Sequence, residues 1–361
     1  MKILQIAPLW ESVPPSAYGG TEAVVSVLTE ELVRRGHEVT LCASGDSRTR
    51  AELLSVYPRS LRTASDLQDP WPYAWLHSAL ALREASEFDI VHNHAGEVTM
   101  AMAHLVPDVP MLTTMHCLIT PDTKFIWDRY PGYYNTISMS QRRTMPPLAG
   151  GHYVGVVYNA IDVSSFPYEE HKEDYLLFLS RISVDKMPHL AVEVARRTGR
   201  RLIIAGKVDR VDQQYFDSVL APLIDGKQIQ FVGEADARRK RELFSKAYCL
   251  VLPLSWEEPF GLVMIEAMAC GTPVISFGRG STPEVVIDGE TGYIVRNVDQ
   301  MAKAVEKVDR ISPRRCRQHV EDNFDARIMA DRYLQAYQRI IARERAYPEL
   351  LPAVSDSAGV A

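Results

Sequence analysis

The chain has 361 residues, of which 46% are hydrophobic and 24% charged, with a formal net charge of −6. That length accommodates two domains, and the mild acidic balance gives no basic field for nucleic acid or an anionic membrane. The five cysteines, Cys42, Cys117, Cys249, Cys270 and Cys316, are odd in number and widely spaced, with no Cys-x-x-Cys pair. This usage fits reduced thiols and a cytoplasmic protein better than a disulfide framework.

The N-terminal run MKILQIAPLWE is too short for a signal peptide. The most apolar long window, 98–119, is interrupted by His104, Pro107, Asp108 and Pro110, so no membrane-spanning helix is expected. KILQIAP reads as a buried strand, followed by a loop rich in proline and aromatics and then by Gly19-Gly20. Val24, Val27, Leu28 and Leu32 recur at helical spacing, which predicts a helix over 21–35 capped by Gly36. EVTLCAS is the next strand, and this β–loop–α–β opening implies a parallel sheet. FDIVHNH, VPMLTTMH and YNTISMS (134–140) continue it. The polar stretch 168–174 reads as a linker. Strands and helices then alternate again: YLLFLS, helix 185–198, RLIIAG, helix 212–224, QIQFVG, helix 236–247, YCLVLPL, helix 262–270 and PVISF. The expected architecture is α/β, two doubly wound Rossmann-like domains facing across a cleft. The basic run 238–241 reads as a solvated helix face, a helix is expected over 326–343, and residues 346–361 read as a flexible tail.

One carboxylate is out of place. The segment LVMIEAMAC is apolar on every face, so its helix should be buried all round, with Glu266 inside it. A buried carboxylate requires a hydrogen-bonding partner. Just upstream, Pro259 holds Glu258 extended and Gly261 can cap the helix, leaving the amides of Leu262, Val263 and Met264 unpaired. Such a turn attracts phosphate. Arg181 and Lys186 follow the strand YLLFLS and offer two cations to a diphosphate, one a planar fork and one a point charge. Gly19-Gly20 would let backbone approach a phosphate closely. No G-x-G-x-x-G accompanies Asp46, which argues against a dinucleotide oxidoreductase. His92 and His94 sit together at a strand end, but no third metal ligand is identifiable.

The run Glu258-Pro-Phe260-Gly261-Leu262-x-x-x-Glu266-Ala-x-Ala-x-Gly-x-Pro-Val resembles the signature of the retaining glycosyltransferases of family 4, which have the GT-B fold. The likeness extends from the first strand to about residue 340. It departs from the family pattern at Ala160, where Asn-Gly-Ile-Asp is usual. The resemblance implies an acceptor-binding domain over 1–165, rejoined by about 326–345, and a donor-binding domain over 166–325. It implies that Arg181 and Lys186 hold the donor diphosphate and that His116 contacts the transferred sugar. Glu258 would bind sugar hydroxyls and Glu266 the ribose, with Phe260, Leu262 and Val263 in the same donor motif. The loops at Lys207 and at Val232-Gly233-Glu234 would cradle the base. It further implies hexose transfer with retention from a nucleotide sugar, UDP-linked in preference to GDP-linked, without a metal or other cofactor. A homodimer is possible in such a family. The acceptor is unidentified; the aromatic loops 8–18, 69–77 and 118–134 are its candidate site, or else core. A GT-B epimerase or phosphorylase and a catalytically silent sugar-nucleotide-binding protein are the alternatives.

Overall fold

A computed structural model describes residues 1–346. Seven strands form the first sheet: β1 (Lys2–Ile6), β2 (Glu38–Cys42), β3 (Glu52–Leu54), β4 (Ile90–Asn93), β5 (Met111–Met115), β6 (Tyr133–Thr136) and β7 (His152–Val156). Their order is β3-β2-β1-β4-β5-β6-β7, and every pairing is parallel. Six more form the second: β8 (Tyr175–Leu179), β9 (Arg201–Ala205), β10 (Ile229–Phe231), β11 (Cys249–Leu252), β12 (Val274–Phe277) and β13 (Gly292–Val295). These run in the order β10-β9-β8-β11-β12-β13, again all parallel. The sheets reverse strand order at β1/β4 and at β8/β11. Ligands of open α/β sheets bind at the carboxyl ends of the strands beside such a reversal. The loops leaving these four strands begin at Ala7, His94, Ser180 and Pro253, which puts Gly19, Arg181 and Glu258 on them.

The sequence reading differs from the structure in several places. β3 and β7 carry too little pattern to be foreseen. The predicted strand over 134–140 ends at Thr136, and a helix Met139–Thr144 begins instead. Ser138 caps it by accepting the amide of Gln141 (3.0 Å), and this Ser-x-x-Gln spacing was available in the sequence. The predicted helix 185–198 is a short turn, Val184–Lys186, followed by the helix Pro188–Thr198. Met187 between them has φ +50°, and the proline after it disfavours the right-handed helical region that would join the two pieces. The predicted helix 212–224 is a succession of short turns that ends around Pro222. Loops 69–77 and 118–134 contain the helices Trp71–Arg83 and Pro121–Trp127. Trp127 and Tyr130 of the latter region are core residues, whereas Trp71 and Trp75 are exposed.

The chain passes between the halves twice, and the two passages are bonded to each other. Ile161 N donates to Phe324 O (3.0 Å) and Ala326 N to Ile161 O (2.9 Å). The helix Ala326–Ala346 then lies on the first half, burying Met329, Tyr333, Tyr337 and Ile340 against Ile3, Val24 and Leu28. Apart from Ala346, the expected tail 346–361 lies outside the described residues. No described helix is long and apolar enough to cross a membrane.

Candidate active site

The helix Leu262–Ala269 is buried from Met264 onward, as its all-apolar face requires. Gly261 precedes it at φ +78°, and a Cβ there would lie 2.5 Å from the Met264 methyl and 3.2 Å from Cγ of Glu258. Only glycine fits both the conformation and the space. Met264 N donates back to Gly261 O (3.0 Å), so it is not a free donor. The amides of Leu262 and Val263 find no hydrogen-bond partner among the described residues. They are the two donors of the turn.

Charge gathers around that turn. A cleft of about 150 Å³ is lined by Tyr18, Gly19, Gly20, Arg181, Lys207, Lys240 and Val263. Gly19 and Gly20 open the helix Gly20–Arg34, and a Cβ on Gly20 would stand 3.6 Å from Leu262. The glycine pair of the first half therefore meets the Gly261 turn of the second. Arg181 leans on Asp185 (3.4 Å), and Lys207 pairs with Asp209 (3.0 Å). Beside them, Lys186 forms an ion pair with Glu258 and lies 4.4 Å from the centre of the Trp256 ring. Trp256 Nε1 donates to the same carboxylate oxygen of Glu258 (3.1 Å). Lys186 is thus a buried cation held by a carboxylate and an aromatic face, with a left-handed Met187 fixing its backbone. Strained backbone of this kind collects at functional positions.

Three assigned stretches have distinctive surroundings. Phe260 is buried and packs on Phe324 and Tyr158 at ring-centre distances of 5.7 and 6.2 Å. Its side chain braces the motif loop. Val232 is exposed beside the cleft-lining Glu234, and its amide is bound to Ile204 O (3.0 Å). The basic run 238–241 is not a uniformly solvated face: Lys240 turns inward and donates to Glu266 Oε1 (2.6 Å). Glu266 thereby has the partner its burial demands, and it faces a second cleft of about 510 Å³ between the halves.

His116 ends a chain of buried imidazoles. Its Nε2 lies 2.9 Å from His94 Nδ1, and His94 Nε2 lies 2.8 Å from Gln5 Oε1. With the amide oxygen facing it, His94 carries its proton on Nε2 and accepts from His116. His92 contacts Tyr337 (2.6 Å) and Thr114 (2.7 Å) through its two nitrogens. Burial lowers the pKa of His116 to about 4, so the ring is neutral near pH 7. His92 and His94 use both ring nitrogens on protein partners, and the described residues contain no group of three or more His, Cys, Asp or Glu able to hold a metal.

The sequence reading also missed several residues. Glu11 and Arg62 form an ion pair, Arg62 lies 5.7 Å from the Tyr18 ring centre, and Tyr18 N donates to Glu234 across the cleft (3.1 Å). Glu22, in the first turn after the glycine pair, is buried, and desolvation raises its pKa to about 7. All five cysteines are free, Cys117 exposed and the others buried.

Two family profiles divide the chain between them. "Glycosyltransferase Family 4" matches residues 18–165 and "Glycosyl transferases group 1" matches residues 162–321. The chain is 28% identical to a glycogen synthase of Mycobacterium tuberculosis, over 98% of each protein. It is also 28% identical to the alpha-maltose-1-phosphate synthase of Mycolicibacterium smegmatis, over 81% of this chain and 84% of that one. Among solved structures, AviGT4, a glycosyltransferase involved in avilamycin A biosynthesis, superposes with a TM-score of 0.74 at 26% identity, covering 95% of this chain and 98% of that one. Two parallel-sheet halves, a cation-lined glycine turn at their junction and profiles spanning both halves lead to one assignment: the chain belongs to the family 4-like glycosyltransferases of GT-B fold.

Proposed function

We propose that the protein is a retaining hexosyltransferase that moves a hexose from a nucleoside-diphosphate sugar to a hydroxyl acceptor, with UDP-sugar favoured over GDP-sugar. The observation that carries this is the turn at Gly261, where two free amides are ringed by Arg181, Lys186 and Lys207. That set matches a diphosphate, and it supplies positive charge where the leaving group develops negative charge. Two relatives are named for glycogen and maltose 1-phosphate, both hexose compounds. The second half, 166–325, holds the donor; the first, 1–165 with 326–345, holds the acceptor.

In this reading the bond from the anomeric carbon to the β-phosphate breaks as the acceptor oxygen bonds to the same face of that carbon. The acceptor proton passes to a phosphate oxygen of the departing diphosphate. Arg181, Lys186 and the Leu262 and Val263 amides take up the leaving charge, so no metal is required of the site. When the phosphate arrives, Lys186 turns to it and frees Glu258 for sugar hydroxyls. His116, neutral, lies on the opposite wall against the hexose. Glu266, shared with Lys240, is assigned to the ribose. A cytoplasmic location and possible pairing into homodimers complete the proposal.

The test is calorimetric titration of the full chain with UDP, GDP and ADP in EDTA. Binding of UDP at millimolar affinity or tighter is expected. Absence of heat with all three would sink the donor site.

A further inference from the structure

The site groups stand on two separate halves, and halves joined by thin passages move relative to each other by default. A misplacement of about 1 Å can cost on the order of a hundredfold in rate. Something must therefore hold His116 in register with the Glu258 loop, and a continuous line of hydrogen bonds runs between them.

The line begins at Glu258. Its carbonyl accepts Ser281 N (2.9 Å), while Ser281 Oγ donates to Phe260 O (2.7 Å). Gly280 sits so close that a Cβ would fall 2.2 Å from Glu258 N. The 280–284 segment is thus bolted to the motif loop. It presents Glu284, whose side chain is only 12% exposed, to the other half. There Glu284 accepts Met139 N (2.7 Å) and Ser140 N (2.5 Å), the opening amides of the helix Met139–Thr144. It also accepts Tyr158 Oη (3.0 Å) and Arg143 (3.3 Å). A carboxylate at a helix N-terminus satisfies orphan amides and meets the positive end of the helix dipole.

The next residue of that helix is Gln141, almost fully buried. Its amide nitrogen donates to the carbonyls of Met115 (3.0 Å) and Cys117 (3.1 Å), the residues on either side of His116. Its oxygen accepts Ile137 N (2.9 Å). Every polar atom of the side chain is committed, and two of its bonds clasp the backbone of the histidine.

We propose that Glu284 and Gln141 are positioning residues: Glu284 latches the Glu258 loop to the helix that carries Gln141, and Gln141 fixes His116 opposite that loop. This deepens the proposed function, since it rests on Glu258 and His116 flanking the transferred hexose. Met139 is the first residue of its helix, a position where proline is well tolerated, and Ser138 before it is extended, as a residue preceding proline prefers. Met139→Pro therefore deletes one latch donor while keeping the helix.

The test uses the full chain, as wild type, Glu284→Ala, Glu284→Gln and Met139→Pro. Hydrogen exchange needs no substrate. In Glu284→Ala, faster exchange is expected at 139–140 and also at 115–118. A change confined to 139–140 would overturn the relay, whatever the donor turns out to be. With UDP-glucose as probe, hydrolytic kcat should fall at least tenfold in Glu284→Ala while KM and the UDP Kd stay within about twofold, with Glu284→Gln and Met139→Pro intermediate. Unchanged kcat, or a parallel loss of UDP affinity and melting temperature, would reduce Glu284 to a fold-stabilising residue and overturn the proposal. If Glu284→Ala does not fold, Met139→Pro carries both readouts. A wild type that binds no UDP contradicts the donor reading, and the exchange comparison then decides the latch alone.

Discussion

Lys186 and Arg181 have the same charge in nearby positions, yet their surroundings set different outcomes. Lys186 is buried against Trp256 and paired with Glu258, whereas Arg181 is one-third exposed beside Asp185. Both should stabilise the departing diphosphate, so alanine at either is expected to lower kcat by roughly a hundredfold. Only Lys186→Ala also strands a buried carboxylate, so only it should lose melting temperature. Turnover unchanged in either variant would place the diphosphate elsewhere. Glu22 gives a pH signature. Its folded pKa of about 7 exceeds its ordinary 4.5, so between these values the folded protein holds more protons than the unfolded chain. Stability is therefore lost as pH rises through that window. Glu22→Gln removes the cost. Its advantage over wild type should reach up to about 3 kcal/mol above pH 7 and vanish below pH 4.5, read by thermal unfolding at pH 4.5, 6 and 8. An advantage independent of pH would mean that the carboxyl is not the source.

At the scale of elements, what could be read from sequence was what short-range chemistry dictates. Gly261 with its flanking carboxylates, the all-apolar helix around Glu266 and the strand ends at Arg181 and His116 all lie within a few residues of the feature that explains them. The need of Glu266 for a partner was legible; the partner was not. Lys240 is 26 positions away on a helix whose charges look solvated, and only the packing of the two helices turns it inward. Glu284 meets Met139 across 145 positions, so no periodicity can announce it. The misread strand over 134–140 has a different cause. Its alternation is real as far as Thr136, but the Ser138 cap overrides it, and local hydrogen bonding wins over propensity there. A motif groups residues by sequence, whereas burial separates Phe260, packed in the core, from Glu258, paired with Lys186 two positions away.

At the scale of the whole molecule, the helix Ala326–Ala346 makes the first half depend on the end of the chain. Its Tyr337 hydroxyl lies 2.6 Å from His92 Nδ1, and Tyr333 contacts Thr114 (2.9 Å). Through His92 and His94, whose tilted rings have centres 3.9 Å apart, this network backs His116. The Arg181, Lys186 and Gly261 side of the cleft belongs to the other sheet, whose Leu262 packs against the same cluster as Tyr333 and Tyr337. Tyr337→Phe keeps the ring in the core and removes two buried hydrogen-bond contacts, to a His92 nitrogen and to the Gln5 amide. A loss of about 1–3 kcal/mol is expected, or several degrees in the melting transition of the first half. UDP affinity should stay unchanged, because the proposed donor residues Arg181, Lys186 and Glu258 stand on the second half. Calorimetric unfolding and UDP titration of the same variant separate the two effects. A drop in UDP affinity that matched the loss of stability would show that the halves fold and bind as one unit, and the assignment of donor binding to 166–325 alone would fail.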